Sequence, residues 1–187
     1  MRVSLSRRAV LVFLVVVLAA VAARGAMPSS KGSTGFSGSI ACGVERWAVK
    51  TLQDRPELIR AQATTVAHLD SLPRPSSLPP TRLQFEHHIF SIAAAVTLDR
   101  PEADMDLHLV LQSGESHMIA EAPSPACTTL ATPYRRRQMK DARSVVRVCA
   151  RARVVGVAFF DFKHGQTGVA PNAIELHPIL GFACLSG

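Results

Sequence analysis

Leu107, Leu109 and Leu111 alternate with Asp106, His108 and Val110, and the run closes on a loop around Gly114. A two-residue period belongs to a strand, and apolar residues on one face commit that strand to a sheet with a buried side. The loop Gln112–Ser116 is short enough for a hairpin, so residues 117–122 read as the returning strand, closed by Pro123 and Pro125. Few folds accommodate a tight amphipathic hairpin in mid-chain without further strands to cover its apolar face.

Those further strands are legible on both sides. Residues 86–98 read as a long strand with Ala93–Ala95 as its weak point, followed by a turn at Asp99–Glu102. After the hairpin, Met139, Ala142, Val146 and Cys149 recur at helical spacing, which predicts a helix at about 134–150. The arginines at its start, after Tyr134, oppose the helix dipole and read as a solvated face. Arg153–Phe162 and Ile174–Phe182 read as two more strands, with Pro178 placing the last at an edge or a bulge. The chain is therefore mainly β (α+β), in the order β-β-β-α-β-β. That is the order of an OB-fold-like small β-barrel. Residues 41–52 carry the single Trp47, residues 54–70 have mixed propensity, and the four prolines of Leu72–Pro80 make an extended connector.

The N-terminus predicts export. Arg2, Arg7 and Arg8 precede an uncharged run, Ala9–Ala23, and small residues at Ala20–Ala22 and Gly25–Ala26 offer cleavage points. The run is shorter than the about 20 residues of a spanning helix. Residues 1–26 thus read as a signal peptide, 27–40 as a flexible lead-in and 41–187 as one globular domain, secreted, monomeric and off the membrane. The chain has 21 basic and 14 acidic residues, and four of the arginines fall in 1–26, leaving 17 against 14, or +3. That is no strong nucleic-acid signal. Four cysteines, Cys42, Cys127, Cys149 and Cys184, contain no C-x-x-C pair and suit disulfides in an oxidising compartment. The residues leave three pairings open.

Two polar clusters are candidate ligand sites. Asp104, Asp106 and His108 share a strand face and offer two carboxylates and an imidazole to a divalent metal. A solvated strand face gives the same pattern, and that plainer reading is preferred. Glu175 and His177 share a face of the last strand, and His164, Gln166 and Asn172 lie in the glycine-bearing loop before it. A loop satisfying its own backbone explains these as well. The loop is expected to pack near Asp106 and His108, or against Arg46–Trp47. The phenylalanines Phe159, Phe160 and Phe162 read as core. No H-E-x-x-H, G-x-S-x-G, Walker A or G-x-G-x-x-G motif occurs, so no catalytic residue is assigned.

Three blocks, Cys42–Thr51, Asp104–Leu111 with Met118–Glu121, and Gly156–Pro178, resemble a family of uncharacterised exported proteins of bacteria and fungi. The resemblance implies export and a shared fold, but no activity. It also implies the pairings Cys42–Cys127 and Cys149–Cys184. Ala122 departs from the bulky residue expected before Pro123. A looser likeness is to thermonuclease-type OB barrels, which place acids near the start of the second strand as Asp104 and Asp106 do here. No strand supplies their phosphate-directed arginines, and Glu121 has no such partner. The leading expectation is a non-enzymatic binding module for a saccharide or other polar ligand. The alternative is a metal-assisted hydrolase, phosphodiesterase- or nuclease-like, using Asp104, Asp106, His108, Glu175 or His177.

Overall fold

The computed structural model describes residues 42–43 and 45–186. The expected signal peptide and lead-in lie outside them. In chain order the elements are α1 (Trp47–Lys50), β1 (Ile59–Thr64), α2 (Val66–Asp70), β2 (His88–Pro101), β3 (Leu107–Ser113), β4 (Ser116–Ala122), α3 (Pro133–Val145), β5 (Cys149–Phe160) and β6 (Ile174–Cys184).

β2 organises the sheet because it is long enough to pair twice. Its first half runs antiparallel to β5, from Ile89 opposite Val157 to Val96 opposite Cys149. Its second half runs antiparallel to β3, from Ala95 opposite Gln112 to Pro101 opposite Leu107. Both registers shift around Ala94–Leu98, a bulge that turns the strand from one partner to the other. The alanines at 93–95 do not weaken it, because Ala94 is buried and its neighbours face out. β3 and β4 form the predicted hairpin, closed between Ser113 and Ser116, with Gly114 at φ 62° in the turn. β4 then pairs parallel with β6, and β6 antiparallel with β5. Pairing thus runs β2-β3-β4-β6-β5 and back to β2, a closed five-stranded barrel with a helix between its third and fourth strands. This is the OB-type barrel expected from element order.

The barrel interior holds Phe90, Ile92, Leu109, Leu111, Met118, Val154, Phe160, Leu176 and Ile179. Val66 and Leu69 of α2 join that core. Outside the barrel, Met139 of α3 meets Leu52, Ile89, Val157 and Leu180 in a second apolar cluster.

Several expectations need correction. The helix ends at Val145, not 150, and Cys149 begins a strand. There the β-branched Val146 and Val148 favour extended backbone, and pairing with β2 captures it. Residues 54–70 hold β1, which runs parallel to β2, followed by α2. Of the two placements expected for Pro178 the bulge holds and the edge does not: β6 lies between β4 and β5, and Pro178 sits within a register shift against β5. The proline-rich stretch 72–80 has no regular element, as predicted. Cys42–Cys127 and Cys149–Cys184 are both bonded, with Cα separations of 5.7 and 5.9 Å, which fits an oxidising compartment. No helix among the described residues is long and apolar enough to cross a membrane.

Candidate functional site

Strand alternation sends a row of polar side chains to the outer face of β3, β4 and β6. The hairpin register sets His108 opposite Glu121, and the parallel pairing of Ile119 with Glu175 carries the row on to His177. An outer barrel face would normally meet water, yet His108 and His177 are fully buried and Glu121 nearly so. Two segments cover them.

The first cover is the segment around Arg46 and α1. Arg46, at a positive φ of 49°, reaches inward and clasps Glu86 with two bonds of 2.7 and 2.6 Å. It also donates to the carbonyls of Pro79, Thr81 and Phe160, and lies 4.7 Å above the Phe159 ring. Glu86 has no exposure and accepts from the N–H groups of Leu83 and Phe160 as well. A buried ion pair so fully bonded fixes its segment rigidly. The Cys42–Cys127 bond secures the other end. Glu45 and Lys50 are thereby held over the polar row.

The second cover is the β5–β6 loop, residues 161–173. The carbonyl of Thr167 lies 2.9 Å from His108 Nε2. Gly168, at φ 81°, presses on Val110 so closely that a Cβ there would come within 2.4 Å of it. His164 Nε2 lies 2.6 Å from Glu45 Oε2, joining the two covers. Together with the β2–β3 loop they leave a cleft of about 240 Å³ lined by Gly43, Glu45, Lys50, Glu102, Asp104, Glu121, Asp161, His164 and Gln166. OB-type barrels bind ligands at this strand face and between these two loops.

Glu121 is the hub. Its Oε1 lies 3.1 Å from His108 Nδ1 and its Oε2 lies 3.0 Å from His177 Nδ1. Glu102 Oε1 is 3.3 Å from the same His108 nitrogen. Glu175 Oε1 is 3.2 Å from His177 Nδ1, and Asp106 Oδ2 is 3.5 Å from His177 Nε2, an ion pair too long for a hydrogen bond. Asp106 Oδ1 accepts from the Ser124 N–H at 2.8 Å. Lys50 Nζ bonds Asp161 Oδ2 at 2.8 Å, while Asp161 Oδ1 is buried without a partner.

These contacts set the charges. Burial alone would lower the His177 pKa, but Asp106, Glu121 and Glu175 outweigh it and hold the ring protonated well above the usual histidine range. His177 Nδ1 donates to the Glu121 and Glu175 carboxylates, while Nε2 has no hydrogen-bond partner among the described residues. Burial would raise Glu121, yet bonds from His108 and His177 hold it far below the usual carboxylate range. Glu175, without exposure and near Asp161 and Glu121, is pushed up to about 7, burial being the main cause. Burial and Asp106 raise Asp104. Burial opposes the charge on Lys50, but Glu175, Asp161 and Glu121 raise its pKa.

Of the residues singled out from sequence, Asp106, His108, Glu175 and His177 share this network, and Asp104, His164 and Gln166 line the cleft above it. The solvated-face reading is overturned for Asp106 and His108, which have no exposure, whereas Asp104 is half-buried at the cleft. Asn172 stands apart: its Nδ2 donates to the carbonyls of Leu69 and Leu72, and its Oδ1 accepts from the Ile174 N–H, so it ties the loop end to α2. Glu121, to which no strand supplies a phosphate-directed arginine, bridges two histidines instead. Glu45, Lys50, Glu102 and Asp161 escaped sequence reading. Only Glu121 carried a usable signal, since the Gly114 hairpin already sets it opposite His108.

No family model and no curated protein sequence matches the chain. Solved structures share the fold only distantly. A protein from Leishmania major Friedlin described as an aspartyl-tRNA synthetase is 16% identical over 65% of this chain and 20% of its own, with a TM-score of 0.43. Aspartyl-tRNA synthetase from Entamoeba histolytica is 15% identical over 70% and 26%, with a TM-score of 0.39. The asparaginyl-tRNA synthetase of that organism is 8% identical over 68% and 24%, also at 0.39. The chain therefore spans about a quarter or less of the proteins it resembles.

Proposed function

We propose that the protein is an exported hydrolase that cleaves phosphodiesters with the help of a divalent cation in the cleft between the β2–β3 and β5–β6 loops. The observation that carries this reading is convergence. Asp106 and His177, distant in sequence, lie 3.5 Å apart, and Glu121 joins them to His108 beneath a solvent-open cleft. Buried charges cost desolvation that their attraction rarely repays in stability, and perturbed titrations gather where chemistry is done. Among the described residues the cleft lining is predominantly charged, with His164 as its one ring, which suits a polar reacting group better than a stacked base. The carboxylates would repel a phosphate unless a cation offset them. The basic, apolar and small-residue leader supports export, as do the two disulfides.

The rim supplies a base. The Glu45 carboxylate fixes the proton of His164 on Nε2, which leaves Nδ1 to take a proton from water. The water oxygen bonds to phosphorus and the bond from phosphorus to the leaving oxygen breaks. The leaving oxygen takes a proton from solvent, giving a phosphomonoester and an alcohol. Lys50 faces the charge that develops on the phosphoryl oxygens.

The test is hydrolysis of bis(p-nitrophenyl) phosphate and of oligonucleotides by the full chain with Zn²⁺, Mn²⁺, Mg²⁺ or Ca²⁺. Turnover that falls about 100-fold in His164→Ala is expected. Absence of turnover with every cation, together with saturable binding of a polysaccharide, would overturn the reading in favour of a binding module.

A further inference from the structure

The contacts of His108 fix where its protons are. A carbonyl only accepts, so Nε2, 2.9 Å from Thr167 O, carries a hydrogen. Nδ1 then faces Glu121 Oε1 at 3.1 Å and Glu102 Oε1 at 3.3 Å. Without a metal Nδ1 also carries a hydrogen and donates it to Glu121, so the ring itself is the positive group between the two carboxylates; a bound cation would take that proton's place.

We infer that Glu102, His108 Nδ1 and Glu121 form a binding centre for a divalent transition metal of the Zn²⁺ or Mn²⁺ kind, open to solvent through the cleft. Metal bonds of about 2.0–2.2 Å imply ligand-to-ligand edges of roughly 3.0–3.5 Å, and both edges to Nδ1 fall there. The supporting contacts are those of a metal site. A ligating histidine usually donates its other N–H to a carbonyl, as His108 does to Thr167, and a ligating carboxylate is itself hydrogen-bonded, as Glu121 is by His177. Imidazole with carboxylates selects transition metals over Ca²⁺ and Mg²⁺. Glu102 and Glu121 both line the cleft, which gives the ion a path in and leaves coordination positions for water or substrate.

Two other groupings of acids and histidine compete less well. Asp106 and His177 have no exposure and neither lines the cleft, so an ion between them has no path in, although Asp106 Oδ2 and His177 Nε2 lack hydrogen-bond partners among the described residues. Asp161 beside Glu45 and His164 is neutralised by Lys50 at 2.8 Å.

The centre deepens the hydrolase reading and rests on it for its catalytic consequence, but it is tested by binding alone. Isothermal titration of the metal-stripped full chain with Zn²⁺ and with Mn²⁺ is expected to show one saturable site, with weaker binding of Ca²⁺ and Mg²⁺. Glu102→Gln removes a partly exposed ligand and spares the barrel interior, so it should fold and bind at least about 10-fold more weakly. His164→Ala should leave the affinity unchanged. If His108→Ala fails to fold, Glu102→Gln decides. Absence of saturable binding, or an affinity lost in His164→Ala and kept in Glu102→Gln, overturns the centre. A bound metal without turnover would leave the centre standing and sink the hydrolase; turnover without saturable metal binding would overturn the centre and leave the hydrolase without its cation.

Discussion

Arg46 holds the cover of the cleft through five side-chain bonds, two of them to the unexposed Glu86. Removing the guanidinium strands a buried carboxylate, so Arg46→Ala should cost about 3–5 kcal/mol in urea unfolding. Arg46→Lys should recover little, because a point charge cannot reproduce the fork. A loss below about 1 kcal/mol in either variant would show that the clasp is not what orders the segment around Arg46 and α1. Glu175 gives a pH signature. Its folded value is raised to about 7 from 4.5, with burial the first cause. Between those values the folded state holds a proton that the unfolded chain has released, so Glu175 makes stability fall as pH rises across that window. Glu175→Gln should flatten the slope and stabilise the protein above pH 7. Parallel stability profiles for the two proteins would contradict the assignment.

The β5–β6 loop is the element on which the site depends, and Gly168 is its contact point. A methyl there would meet both Val110 methyls, at 2.4 and 2.8 Å, on backbone at φ 81°. Gly168→Ala should therefore destabilise the chain by about 1–3 kcal/mol and speed amide exchange through residues 161–173. Val110→Ala in the same chain removes the atoms that clash, so it should restore part of the loss; strictly additive effects would argue that the loop does not press on β3. The opposing β2–β3 loop is held from outside by α3, whose Arg143 donates to the carbonyls of Ala122 and Met105. Strand alternation in the sequence placed Glu175 with His177 and Asp106 with His108. The hairpin turn also fixed Glu121 against His108, because a two-residue loop leaves no freedom of register. Nothing local marked Lys50, Asp161 or Glu45, which reach the cleft from a short helix and two loops.

At the scale of the whole molecule, the two disulfides close loops of different length. Cys42 and Cys127 are 85 residues apart, and Cys149 and Cys184 are 35 apart. Loop entropy makes the first worth about 0.8 kcal/mol more. Serine replacement of Cys42 and Cys127 should cost about 2–5 kcal/mol by thermal or urea unfolding and also weaken the cleft, since that bond tethers the cover around Arg46 and α1. Equal losses from both pairs, with the cleft intact, would refute the tether. The sequence by itself determined the barrel strands, the helix between them and the alternation that puts carboxylates and imidazoles on one side, because two- and 3.6-residue periods are local properties. Only the tertiary structure decided that this side is covered. Burial of His108 and His177, the bridging role of Glu121 and the opening lined by Glu102 and Asp161 all follow from loops folding over an outer barrel face. Those contacts join residues up to 119 positions apart, as in the Glu45–His164 pair, a separation at which no local pattern carries information.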